Sequence, residues 1–144
     1  MFSKACEYGI KATIYISTQS KNNIVVSLKD VAKAINSPVA FTAKILQSLA
    51  KEQIINSAKG PNGGYSILEQ DKKPINILQI VTAIDGDQIY NGCALGFENC
   101  SDKKPCPIHN QFKTIRSDLK EMLEKTTVNN LANEIEFGIA CLKQ

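Results

Sequence analysis

The chain has 144 residues, enough for one domain with an appended arm, and 43% apolar with 22% charged residues exclude a wholly disordered polypeptide. No apolar run approaches the ~20 residues that cross a bilayer. The N-terminal residues, polar and charged through Lys11, lack a secretory apolar segment, so a cytoplasmic protein with reduced cysteines is expected. The net charge of +3 is unevenly spread: residues 1–68 carry eight Lys and three acidic residues, and residues 69–144 carry nine basic and eleven acidic ones. A polyanion is therefore expected to meet the first half. Arg116 is the only arginine.

In chain order, Ser3 to Ser20 predicts a helix, with Ala5, Ile10, Ala12, Ile14 and Ile16 near a 3–4 spacing. Ile24-Val25-Val26 is a short β-branched run. Ser27 is a candidate N-cap with Asp30 three residues on, and Leu28, Val31, Ala32 and Ile35 form one apolar face. Asn36-Ser37-Pro38 predicts a turn from which Pro38 opens a helix to about Glu52, with Val39, Phe41, Ile45, Leu46 and Leu49 as its apolar positions. Residues 54–58 predict a strand, Gly60 to Gly64 a turn and Tyr65 to Leu68 a return strand. Two helices joined by a tight turn and followed by a hairpin predict a winged helix-turn-helix, in a mainly α fold with a small β-hairpin wing.

Residues 69–75 are polar. Asn76 to Asp85 predicts an amphipathic helix through Ile77, Ile80, Val81 and Ile84. Residues 86–109 have no period, and so long a loop requires a tie. From His109 or Asn110 a long helix is expected, in which Phe112, Ile115, Leu119 and Met122 form an a/d seam suited to dimerisation with a second copy. Thr126-Thr127 interrupts it, Thr127 is a candidate N-cap, and Leu131, Ile135 and Ile139 mark a last helix. The chain thus divides into a DNA-binding part at 1–85, a cysteine loop at 86–109 and a dimerisation part at 110–144.

Cys93, Cys100 and Cys106, spaced C-x6-C-x5-C with His109 close behind, can meet at one metal centre. The spacing is wider than the C-x2–4-C of structural zinc sites and suits ligands spread over an iron–sulfur cluster; zinc and free redox thiols are the other readings. His109 is either a ligand or a helix-start residue that caps or faces solvent. Cys6 and Cys141 lie on helical patterns and are expected as small buried apolar residues. Lys44, Lys51 and Lys59, with Lys4, Lys11, Lys29 and Lys33 nearby, are candidate phosphate contacts, and Ser37, Thr42 and Gln47 candidate contacts to phosphate or base edges. The absence of a C-x-x-C pair, a phosphate loop and a second histidine argues against an enzyme.

Residues 3–10 (SKACEYGI), residues 41–49 (FTAKILQSL), the wing Lys59-Gly60-Pro61-Asn62-Gly63-Gly64-Tyr65 and the three-cysteine loop together resemble the winged-helix iron–sulfur regulators, which include the iron–sulfur cluster regulator and the nitric-oxide-sensitive repressor. The resemblance spans nearly the whole chain. It implies a homodimer joined by the helix after the cysteine loop, and a [2Fe–2S] or [4Fe–4S] cluster held by Cys93, Cys100 and Cys106. It also implies a non-cysteine fourth ligand, either His109 or a carboxylate from the partner's first helix, where Glu7 falls. Lys59 stands where the family commonly has an arginine reaching the minor groove, and the wing tip Gly60, Pro61, Asn62 and Gly63 is expected beside DNA. The expected partners are a double-stranded DNA operator and a second copy, without a membrane; contact with RNA polymerase is left open.

Overall fold

Ser3 starts the first helix because its hydroxyl accepts the Cys6 N–H at 3.0 Å, giving α1 (Lys4–Lys21) in the computed structural model, which describes residues 1–68 and 74–144. Most of the polar stretch expected at 69–75 lies outside the described residues. Glu7 in the first turn and Lys21 in the last both complement the helix dipole. The buried side of α1 is Cys6, Gly9, Ala12, Thr13, Ile14, Ile16 and Ser17. A Cβ on Gly9 would fall 2.2 Å from Ile84 Cδ1, so a larger residue there would make the Ile84 side chain turn aside.

The helix-turn-helix follows. Ser27 and Asp30 exchange hydrogen bonds in a capping box that opens α2 (Leu28–Ala34). Asn36 turns the chain with φ +53°. Pro38 serves as the N-cap of α3 (Val39–Lys51) rather than its first residue. Ile45, Leu46 and Leu49 bury α3, whereas Val39 and Phe41, expected among its apolar contacts, are 46% and 36% exposed.

The expected strand at 54–58 forms only over its second part. Gln53 at φ +58° swings the chain out of α3, Ile54 and Ile55 drop into the core, and β1 is Asn56–Ala58. It pairs antiparallel with β2 (Gly64–Ser66), Asn56 opposite Ser66 and Ala58 opposite Gly64. The return strand therefore ends before Ile67, which is buried, and Leu68, which is exposed. Val26 joins the hairpin through a bridge to Tyr65, with reciprocal bonds of 3.1 and 2.8 Å.

A second capping box, Asn76 with Gln79, opens α4 (Ile77–Asp85). The loop expected to be irregular contains a short helix, α5 (Gln88–Asn91). Its Tyr90 is buried, with its hydroxyl 2.8 Å from Thr82 Oγ1. Two adjacent apolar residues, Ile89 and Tyr90, in four positions carry no periodic signal, so the sequence hid this turn. The long helix is α6 (His109–Lys125), and Thr127 caps α7 (Val128–Glu136) by accepting from Asn130 N at 3.2 Å.

The last helix does not trail away. α7 packs on α1, and the strand-like start of α7 is bonded to the start of α4, Val128 N donating to Ile75 O at 2.8 Å and Ile77 N to Thr126 O at 3.0 Å. α1 thereby lies at the centre, against α2, α3, α4 and α7. Ile139 lies beyond α7, which ends at Glu136, and is 74% exposed. Cys141, expected to be buried, is exposed past the end of the helix, while Cys6 is fully buried as expected. No helix among the described residues is long and apolar enough to cross a membrane.

Candidate nucleic-acid interface and cysteine loop

α3 and the hairpin carry three exposed lysines. Lys44 and Lys51 are exposed on α3 and Lys59 is exposed at the foot of the wing, with Gln47 exposed between the two α3 lysines. The wing tip is built on glycine. Gly63 N donates to Gly60 O at 2.9 Å, and a Cβ on Gly63 would meet Ala58 O at 2.3 Å. Gly64, at φ +142°, would place a Cβ 2.5 Å from Val26 O, so the Val26 bridge closes on the hairpin only because no side chain intervenes. On α1, the Lys4 and Lys11 ammonium groups each lie 6.0 Å from the Tyr8 ring centroid.

Two of the expected polar contacts look inward instead. Thr42 is fully buried; its hydroxyl donates to Pro38 O at 2.8 Å and is hydrogen-bonded to Ser37 Oγ. Those bonds fix the turn that precedes α3, so Thr42 is a turn-holding residue and not an exposed one, which corrects the expectation that it reaches a base or phosphate. Ser37 is half-buried and engaged in the same pair.

The second cluster is the cysteine loop. Cys93, Cys100 and Cys106 are each half-buried. Backbone N–H groups of Leu95 and Phe97 point at the Cys93 sulfur and hold its pKa below the usual thiol range, with Cys106 and the Gly96 N–H adding to the effect. Cys100 Sγ is 3.3 Å from His109 Nδ1 and 3.2 Å from Arg116 Nη2. His109 is 5% exposed, and its Nε2 lies 2.8 Å from Asp102 Oδ1. Asp102 also takes two bonds from Lys113 Nζ, at 2.7 and 2.9 Å, and these, ahead of His109, hold its carboxyl below the usual range. The His109 ring is therefore inside the protein, aimed at a sulfur on one edge and oriented by a carboxylate on the other, an arrangement typical of ligating imidazoles.

Arg116 closes the loop onto α6. Its Nη1 donates to Asn91 O at 3.1 Å and to Gly92 O, its Nη2 to Cys100, and its guanidinium lies 5.7 Å from the Phe112 ring centroid. Neither Arg116 nor Asp102 was among the residues singled out for this site. The available signal for Arg116 was its spacing: positions 109, 113 and 116 lie on one face of a helix.

The four donors form two pairs, Cys93 with Cys106 and Cys100 with His109. Among the described residues, no three of His, Cys, Asp and Glu converge as for a single metal ion. The donor set, three half-buried thiols and a carboxylate-oriented histidine, is chemically suited to holding soft metal ions. Glu7 is elsewhere, on α1, paired with Lys4 at 2.5 Å.

The seam of α6 divides. Leu119 packs against the core beside the fully buried Leu123, and Phe112 is half-buried. Ile115 and Met122 point outward at 60% and 50% exposure, in line with Ile108 at 41%, which gives an apolar stripe repeating every seven residues.

Among curated proteins, the chain is similar to an HTH-type transcriptional regulator of Aquifex aeolicus, 28% identical over 135 residues and covering 92% of both chains. It is also similar to the HTH-type transcriptional regulator IscR of Yersinia pestis, 24% identical over 126 residues, 88% of this chain and 75% of that one. Two solved structures share the fold. CymR, the global cysteine regulator of B. subtilis, superposes with a TM-score of 0.74 at 24% identity over 92% of this chain and 96% of that one. T. potens IscR superposes with a TM-score of 0.72 at 17% identity over 98% and 92%. Residues 2–134 match the profile of the Rrf2 family, described as iron-dependent transcriptional regulators. The chain is thus a winged-helix member of the Rrf2 family, a group of transcriptional regulators and not of enzymes.

Proposed function

We propose that the protein binds operator DNA as a homodimer and that an iron–sulfur cluster, [2Fe–2S] or [4Fe–4S], on Cys93, Cys100 and Cys106 controls its affinity. The carrying observation is that three half-buried thiols and the buried His109 lie on one loop bonded into the first half of α6. The family's description as iron-dependent supports the same reading. His109 is the favoured fourth donor because Asp102 already orients it; Glu7 from a second copy is the other. When bound, the cluster supplies a centre that is lost, oxidised or nitrosylated under stress.

The chain's own residues do the rest. Arg116 and His109 join the sulfur loop to α6, whose outward stripe Ile108, Ile115 and Met122 meets the second copy. That contact sets how two copies of α3 address half-sites ~34 Å apart. Lys44 and Lys59 hold phosphate, and Gln47 with the wing tip Gly60, Pro61, Asn62 and Gly63 completes the contact with DNA. A change in spacing worth ~1.4–3 kcal/mol alters affinity ten- to a hundredfold.

A second reading, thiol-based control without metal, is favoured by one observation: Cys93 and Cys106 are already neighbours, and the Cys93 thiol is held in an easily ionised state. Purification without oxygen, with an absorbance spectrum and iron, sulfide and zinc counts, separates the two. Iron with matching sulfide, and a tenfold or larger difference in DNA affinity between loaded protein and Cys100→Ala, is the expected result. Iron-free protein that binds DNA as well as Cys100→Ala does overturns the cluster reading.

A further inference from the structure

The first turn of α3 exposes no hydrogen-bonding side chain. At 100° per residue, Ala40, Lys44 and Gln47 stand opposite the buried Thr42, Ile45, Leu46 and Leu49. Val39, Ala40 and Phe41 are all exposed, the first at 46%. The nearest hydroxyls, Ser37 and Thr42, are bonded to each other and to the turn. Three consecutive exposed apolar residues at the start of a helix serve a contact or are a liability. Phe41 is also held in place: its ring meets Tyr8 edge to face, 5.8 Å between centroids at 82°.

The surroundings select the occupant. Lys11 and Lys4, the latter paired with Glu7, flank Tyr8, Lys44 and Lys51 continue along α3, and Lys59 stands on the wing. An apolar helix start rimmed by ammonium groups matches the major groove of duplex DNA, whose walls are phosphate. The one apolar group on its base edges is the C5 methyl of thymine. Residues at the start of a second helix-turn-helix helix are those that touch base edges. We infer that Val39, Ala40 and Phe41 select operators by packing on thymine methyl groups, so that the first turn reads shape and methyl positions and hydrogen-bonded reading begins at Gln47.

The inference rests on the DNA-binding reading, and the experiment separates the two. The full-length protein selects duplexes from a randomised library spanning about three helical turns. Each thymine in the enriched half-site is then replaced by uracil, which pairs identically but lacks the methyl. Loss of affinity of about three- to fivefold at one or more of these thymines is expected, from the transfer value of one buried methyl. The Val39→Ser/Ala40→Gly double variant should lose the preference at every thymine except one packed on Phe41, whereas Lys44→Ala should bind thymine and uracil duplexes more weakly and keep the preference. Uracil duplexes bound as tightly as thymine duplexes by the unaltered protein overturn the methyl reading while leaving DNA binding intact. Enrichment of no duplex at all overturns the DNA reading, and this inference with it.

Discussion

Replacing Arg116 by Gln should loosen the cysteine loop without unfolding the protein. Arg116 is 9% exposed and makes three directed bonds, to Asn91 O, Gly92 O and Cys100 Sγ. Hydrogen bonds from a charged donor contribute about 1.5–3 kcal/mol each, so the gross sum is about 4–9 kcal/mol. Against it stand the desolvation of a guanidinium, several kcal/mol, and a buried Nε with no partner, another ~1–3 kcal/mol. The net contribution is therefore about 2 kcal/mol, and because all three acceptors lie between residues 91 and 100 it falls on that segment. An opening equilibrium eased by ~2 kcal/mol speeds amide hydrogen exchange about thirtyfold. Exchange measured by mass spectrometry should rise by that factor across residues 91–101 in Arg116→Gln and stay unchanged in α1 and α3. Arg116→Lys should fall between, since an ammonium lacks the fork that spans three acceptors. Exchange in the loop equal to that of the unaltered protein would refute the view that this side chain holds it.

On α6, Leu123→Ala should lower stability by about 2–5 kcal/mol in thermal or denaturant unfolding, because Leu123 is fully buried. Ile115→Glu with Met122→Glu should leave the single chain folded but shift sedimentation toward the monomer, since both side chains point outward. Cys141 and Cys93 should be alkylated early by a thiol reagent and Cys6 spared, because burial, ahead of Asp85, pushes the Cys6 thiol from 9.0 up to about 12; mass mapping of the labelled sites checks this. By linkage, a raised thiol pKa gives stability that is complete below pH 9.0 and declines as pH climbs toward about 12, a decline that Cys6→Ala should lessen in pH-dependent unfolding. Lys44→Ala and Lys59→Ala should each weaken DNA binding and reduce the salt slope by about one; unchanged slopes would place the DNA surface elsewhere.

The elements with a strong local signal were legible. Ser27 with Asp30 and Asn76 ahead of an apolar period mark helix starts by chemistry confined to four residues, and both helices begin there. The wing was legible because glycines at 60, 63 and 64 sit between two short polar-apolar runs. What depended on distant partners was not. Thr42 reads as an available hydroxyl until the turn at Ser37 and Pro38 claims it. Val39 and Phe41 read as core on periodicity alone, yet the core side of α3 is completed by Ile45, Leu46 and Leu49. The seam on α6 read as one stripe and is two, because Leu119 and Leu123 face the chain's own core while Ile115 and Met122 face out. The loop at 86–109 offered its sulfurs openly, but Asp102 and Arg116, which orient them, are visible only once α6 places 109, 113 and 116 in a row.

The bonds that tie Val128 to Ile75 and Ile77 to Thr126 anchor the far end of α6 to the winged body, while Arg116 and His109 anchor its near end to the sulfurs. A helix clamped at both extremities cannot hang as a loose tether between two heads. It is braced like an axle, with contacts running from its far end through α7 to α1 and from α1 on to α3.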